Sequence, residues 1–63
     1  MEHLFASDLK SDRILRAALN LFSAHGYHGT SMQHIASEAG VSKGLLFHHF
    51  ADKSSLLHAL IDS

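Results

Sequence analysis

Cysteine, proline and tryptophan are all missing from the 63 residues, and five lysines and arginines stand against six aspartates and glutamates. Without cysteine, neither a disulfide framework nor a thiolate zinc site can staple so short a chain. Helix packing must hold it together. No apolar run nears the roughly 18 residues of a membrane span, and Met1–Ala6 is too short and too poor in apolar residues for a secretory signal. The expectation is a cytoplasmic protein without a membrane partner. The formal net charge of −1 counts against nucleic acid as a partner, because phosphate binding draws on a basic surface. Distribution matters more than the total. Lys43 and Lys53 bracket one central segment, while Glu2, Asp8 and Asp62 lie near the ends, and seven histidines add positive charge below about pH 6.5.

What is present suits a globular fold: 46% of residues are hydrophobic and 17% charged. A single domain of this length buries only about 60% of its unfolded surface. At 100° per residue, Ile14, Leu15, Ala18, Leu19, Leu21 and Phe22 share one side of a first helix, with Arg13, Arg16, Asn20 and Ser23 opposite. That helix should start between Ser7 and Asp12, where several N-caps compete, and stop at His25-Gly26, with Gly26 in the left-handed conformation. Leu4 and Phe5 precede it as a loose arm. After the turn Gly26–Gly29, the hydroxyl of Thr30 or Ser31 caps a second helix, in which Met32, Ile35, Ala36 and Ala39 share the apolar face.

Ala39-Gly40-Val41-Ser42 is the most informative stretch, since a glycine able to accept positive φ precedes an apolar valine and a fresh N-cap serine. A turn of three or four residues between two short helices is the mark of a helix-turn-helix. In the third helix Leu46 and Phe50 face the core and leave Gly44, Leu45 and His48 opposite. Asp52 caps a fourth helix with the stripe Leu56, Leu57, Leu60 and Ile61, which is still running at Ser63.

The ordered set Ile14-x-x-Ala17-Ala18-x-x-Leu21-Phe22, Gly26-Tyr27, Thr30-Ser31, Ile35-Ala36, Ala39-Gly40-Val41-Ser42-Lys43-Gly44, Phe47-x-His49-Phe50 and Lys53-x-x-Leu56 resembles the N-terminal domain of TetR-family transcriptional regulators. The resemblance runs from about residue 11 to residue 60. It implies an all-α fold: an arm and helix start at 1–10, a three-helix helix-turn-helix head at 11–53, and at 54–63 the start of a fourth helix. That helix would lead into a larger helical domain for dimerisation and small-molecule effector binding, so the chain is expected to be part of a longer protein.

Carried over by position, the resemblance puts Gln33, Lys43, Gly44, Leu45 and His48 at base edges or in the major groove. It puts Thr30, Ser31, Ser42, Phe47, His49 and Lys53 along the phosphates. Family members usually have tyrosine where Phe47 stands, so one phosphate-touching hydroxyl is absent. The partner implied is double-stranded DNA with a pseudo-palindromic operator, bound by a homodimer, and repression is the usual outcome. Physical chemistry agrees, because a helix N-terminus offers free N–H groups to phosphate, and Gly44 lets a helix approach bases at a cost of about 1 kcal/mol relative to alanine.

Plainer readings stand beside these. Lys43 and Gln33 could be solvated surface residues, and Thr30 and Ser31 only caps. The pairs His48-His49 and His25/His28 lack the three or four converging ligands of a metal site, and neighbours on a helix point about 100° apart. No nucleophile with a nearby base, paired carboxylates or phosphate-cradling glycine loop appears, so neither an enzyme nor a cofactor is expected. The alternative from another class is a small helical protein-interaction module with Leu45, Phe47, Leu57 and Ile61 as its patch.

Overall fold

The computed structural model describes residues 9–62, all of whose regular structure is helical: α1 (Lys10–His25), α2 (Met32–Ala39), α3 (Lys43–His49) and α4 (Lys53–Asp62). The arm expected at Leu4 and Phe5 lies outside the described residues. So do two of the candidate caps, Ser7 and Asp8. The residue before α1 is Leu9, extended and without a side-chain cap, although Asp12 in the first turn suits the positive end of the helix. Gly26 ends α1 at φ 82° and ψ 162°, a glycine-favoured region but not the left-handed helical one expected.

The other starts follow the hydroxyl and carboxylate signals. Ser31 Oγ accepts from His34 N at 3.1 Å, Ser42 Oγ accepts from Leu45 N at 3.0 Å, and Asp52 Oδ1 accepts from Ser55 N at 2.9 Å. Of the two hydroxyls that could cap α2, it is therefore Ser31 that does. Between α2 and α3, Gly40 takes φ 72° and ψ 32°, so that Gly40 N bonds Ser37 O and Val41 N bonds Ala36 O. This pair of bonds is a Schellman motif, which closes α2 within one residue and frees the chain to turn toward Ser42.

Ile14, Ile35, Leu46 and Leu56, one from each helix, are fully buried. Each contributes about 1.5–3 kcal/mol of apolar transfer. Around them lie Ala17 and Ala18 of α1 and Ala36 and Ala39 of α2, small side chains that let the two helices in widest contact approach closely. Leu15, Leu21, Phe22, Met32, Val41, Phe50 and Leu60 pack partly buried around this cluster. Phe22 and Phe50 thus border the core and do not fill its centre.

One expected core position is displaced. Leu19 is 46% exposed and Ala17 takes its place in the core. By helix rotation Ala17 stands about 60° from Ile14 and Leu19 about 140° away, beyond the side that α2 and α4 cover. Arg13 is exposed, as expected, and also donates from Nη2 to Ala39 O at 2.9 Å. A cation there meets the negative end of α2, tying the start of α1 to the turn.

Candidate nucleic-acid interface

Among the described residues, only one side of α3 is packed against the rest of the fold. Leu46 is buried beneath it and Leu45 is half-buried, while Lys43, Gly44, Phe47 and His48 are exposed. Positions i, i+1, i+4 and i+5 form a continuous strip along a helix. The strip therefore has a lysine and a bare backbone at its first turn, then an aromatic ring and an imidazole one turn later. Among the described residues nothing asks for glycine at 44, since a Cβ built there would meet no atom closer than Ser42 Oγ at 4.0 Å. Its helix-propensity cost of about 1 kcal/mol is not offset by any packing within the fold.

Ser31 and Ser42 are both exposed, and each accepts a backbone N–H at its cap. Each hydroxyl keeps its own hydrogen, which can be donated to an acceptor outside, and phosphate oxygens are acceptors only. Gln33 is exposed in the first turn of α2. His49 is exposed at the end of α3, its ring edge-on to His48 at 5.4 Å and tilted against Phe50 at 6.3 Å.

Two of the expected phosphate residues make side-chain hydrogen bonds within the fold. Thr30 is 2% exposed, and its Oγ1 is within hydrogen-bond distance of Gly26 O at 2.9 Å and Leu21 O at 3.2 Å. With the hydroxyl hydrogen directed to the carbonyls ending α1, Thr30 fastens the α1–α2 turn and has no hydroxyl surface for a phosphate. Lys53 is half-buried, donating from Nζ to Tyr27 O at 2.8 Å with the ammonium 4.5 Å from the Tyr27 ring centroid. One of its three donors is thereby engaged inside the protein.

Tyr27, a turn-packing residue, and Arg13 hold the elements of this face in place. Tyr27 packs on Phe22 at 5.4 Å and on His28 at 5.2 Å, and its carbonyl holds Lys53. Both ties, Lys53 to Tyr27 and Arg13 to Ala39, span 26 residues, so no local pattern announces them. Of the patch required by a protein-interaction module, Phe47 is 45% and Ile61 68% exposed, whereas Leu45 and Leu57 are half-buried.

The sequence profile described as "Bacterial regulatory proteins, tetR family" matches residues 14–60, which include the core, the Gly40 turn and the whole α3 strip. The chain belongs to the tetR family. Among its relatives, the HTH-type transcriptional regulator UidR of Escherichia coli K12 is 45% identical over 49 residues, covering 78% of this chain and 25% of that protein. The HTH-type transcriptional repressor AcnR of Corynebacterium diphtheriae is 38% identical over 52 residues, covering 82% and 27%. A crystal structure described as a tetR family transcription regulator, from Shewanella sp. PV-4, superposes with a TM-score of 0.82 at 53% identity, covering 84% of this chain and 28% of that one. The all-helical tetR-type architecture is thus shared with a solved structure. The chain spans about a quarter of the length of these relatives. No helix among the described residues is long and apolar enough to cross a membrane.

Proposed function

We propose that this tetR-family chain is a sequence-specific DNA-binding head used in transcriptional regulation, and that it acts without catalysis, in the cytoplasm. The observation that carries the reading is the exposed strip of α3, where Gly44 lies open between Lys43 and Leu45 with no neighbour among the described residues to require it. A bare backbone beside a cation, on a helix held at its cap and anchored by Leu46, suits close approach to base edges in a major groove.

In this reading Gln33, Lys43, Gly44, Leu45 and His48 face the groove, and Ser31, Ser42, Phe47, His49 and the remaining donors of Lys53 face phosphates. Thr30 drops out, because its side chain is buried. Two such heads, joined as a homodimer by residues beyond this segment, would read a pseudo-palindromic operator. A small-molecule effector would bind in that same further region, and repression is the outcome favoured by a relative described as a repressor.

The test is to compare the 63-residue chain with the same chain fused to a dimeric coiled coil, on operators selected from random DNA. Tethering should tighten binding by about 10²–10⁴, and both forms should weaken linearly on a logarithmic salt scale. Equal affinity for monomer and fused dimer would contradict the paired-head reading. Salt-independent binding would favour an apolar protein partner instead.

A further inference from the structure

Between Gly26 and Lys53, the stretch containing the turn, α2, α3 and the start of α4, Lys43 and Lys53 are offset by Glu38 and Asp52. Permanent charge over this stretch therefore sums to zero. The remaining cations, Lys10, Arg13 and Arg16, all lie on α1, and Arg13 is bonded to Ala39 O. What the stretch has in excess is imidazole, with His28, His34, His48 and His49 all exposed. Histidines outnumber permanent cations there by four to two.

His48 and His49 are the best placed of the four. They form the last turn of α3, where the carbonyl end of the helix favours a cation. His48 follows Gly44 by one turn on the open strip, and its ring stands 5.4 Å from that of His49. A polyanion held against this pair of rings favours their charged form.

We propose that DNA binding by this chain is coupled to proton uptake at His48 and His49, so that the polyanion is held more tightly as pH falls through the imidazole range. The proposal rests on the DNA-binding reading above. Binding takes one proton from solvent onto a ring nitrogen for each imidazole that becomes charged, and no bond to DNA is made or broken. Permanent charges alone give residues 26–53 no net charge. The bound form acquires positive charge on the face that meets the polyanion.

The surrounding groups leave room for this. On α3 itself the other titratable group is Lys43, and the turn before α2 carries His28. From α2 come His34 and Glu38, and from α4 come Asp52, Lys53, His58 and Asp62. From α1 come Lys10, Asp12, Arg13, Arg16 and His25. Asp52 directs Oδ1 to the Ser55 N–H and hydroxyl, and Lys53 turns its ammonium to Tyr27.

The experiment is an anisotropy titration of the 63-residue chain with a mixed-sequence DNA duplex at low salt, repeated at about pH 8 and about pH 6, on either side of the ordinary imidazole pKa. Affinity should rise at the lower pH by up to about tenfold for each histidine whose pKa DNA raises by one unit. The slope of log K against log salt should steepen by about 0.9 for each imidazolium placed on a phosphate. Calorimetry in two buffers of different ionisation heat should show net proton uptake. The double variant His48→Gln/His49→Gln should lose most of the pH response, and His58→Gln on α4 should retain it. Binding with the same affinity and salt slope at both pH values overturns the proposal while leaving the DNA-binding reading in place. A full pH response in the double variant also overturns it. Absence of binding at both pH values overturns the DNA-binding reading, and this inference with it.

Discussion

The ammonium of Lys53 reaches back across 26 residues to donate a 2.8 Å hydrogen bond to the carbonyl of Tyr27, lying 4.5 Å from the centroid of that residue's ring. The first residue of α4 is thereby fixed to the turn between α1 and α2, beside the Asp52 cap. Lys53→Ala should lower stability by about 1–2 kcal/mol, through loss of a charge-assisted hydrogen bond and a partly exposed cation–π contact. A urea melt measures this. If Lys53 were only a phosphate contact, the variant would bind DNA less tightly with its melting midpoint unmoved.

Asp52 makes the start of α4 acid-sensitive. Hydrogen bonds from the Ser55 backbone and then its hydroxyl hold the carboxyl below its ordinary pKa, with a smaller contribution from the charge of His58. A depressed carboxylate stabilises the fold above its unfolded pKa of about 4 and loses that contribution as pH falls through the lower folded value. Asp52→Asn keeps a good N-cap without the titration. Thermal melts of the variant should therefore fall less steeply than those of the parent below about pH 4. Parallel curves would show that the cap carboxylate has no part in acid unfolding.

Gly44→Ala separates folding from binding. The site is open and its backbone is not in the positive-φ region, so alanine should stabilise the fold by up to about 1 kcal/mol. With α3 in the groove as proposed, the added methyl should crowd the bases and affinity should fall. Gly29→Ala is the contrasting case, because a Cβ there would come 2.3 Å from His25 O and must disrupt the turn. A Gly44→Ala variant that is more stable and binds DNA unchanged would remove α3 from the groove.

Phe47 offers a gain. Its ring is 45% exposed on the α3 strip, so a tyrosine hydroxyl should reach solvent with little effect on stability. Beside a phosphate, that hydroxyl adds a hydrogen bond to a charged acceptor, worth on the order of 1.5–3 kcal/mol before desolvation. Phe47→Tyr should tighten binding to operator and random DNA alike, because phosphates carry no direct sequence information. A change confined to one of the two DNAs would place the ring at base edges.

Much of the fold was legible because its determinants are local. Ser31, Ser42 and Asp52 cap helices that begin one residue later, Gly40 takes the positive φ that its place before Val41-Ser42 suggested, and Ile14, Ile35, Leu46 and Leu56 follow helical spacing into the core. What escaped depends on contacts distant in sequence. Helical periodicity gave Leu19 an apolar side to face, but which side α2 and α4 cover is decided by packing, and Ala17 lies nearer its centre. The hydroxyl of Thr30 looked like that of Ser31 in sequence, yet the turn carries it under the end of α1. Arg13 and Lys53 look like surface cations until the carbonyls of Ala39 and Tyr27 are placed beside them.

The central claim is that the exposed strip of α3 is the face that meets DNA, and an amide NMR titration of the 63-residue chain with a DNA duplex tests it most directly. The largest shifts should fall on Lys43, Gly44, Leu45, Phe47 and His48, with a second group at Ser31–His34, and all should shrink as salt is raised. Shifts concentrated on Leu19, Leu57 and Ile61, or shifts indifferent to salt, would contradict the account and point to an apolar partner surface.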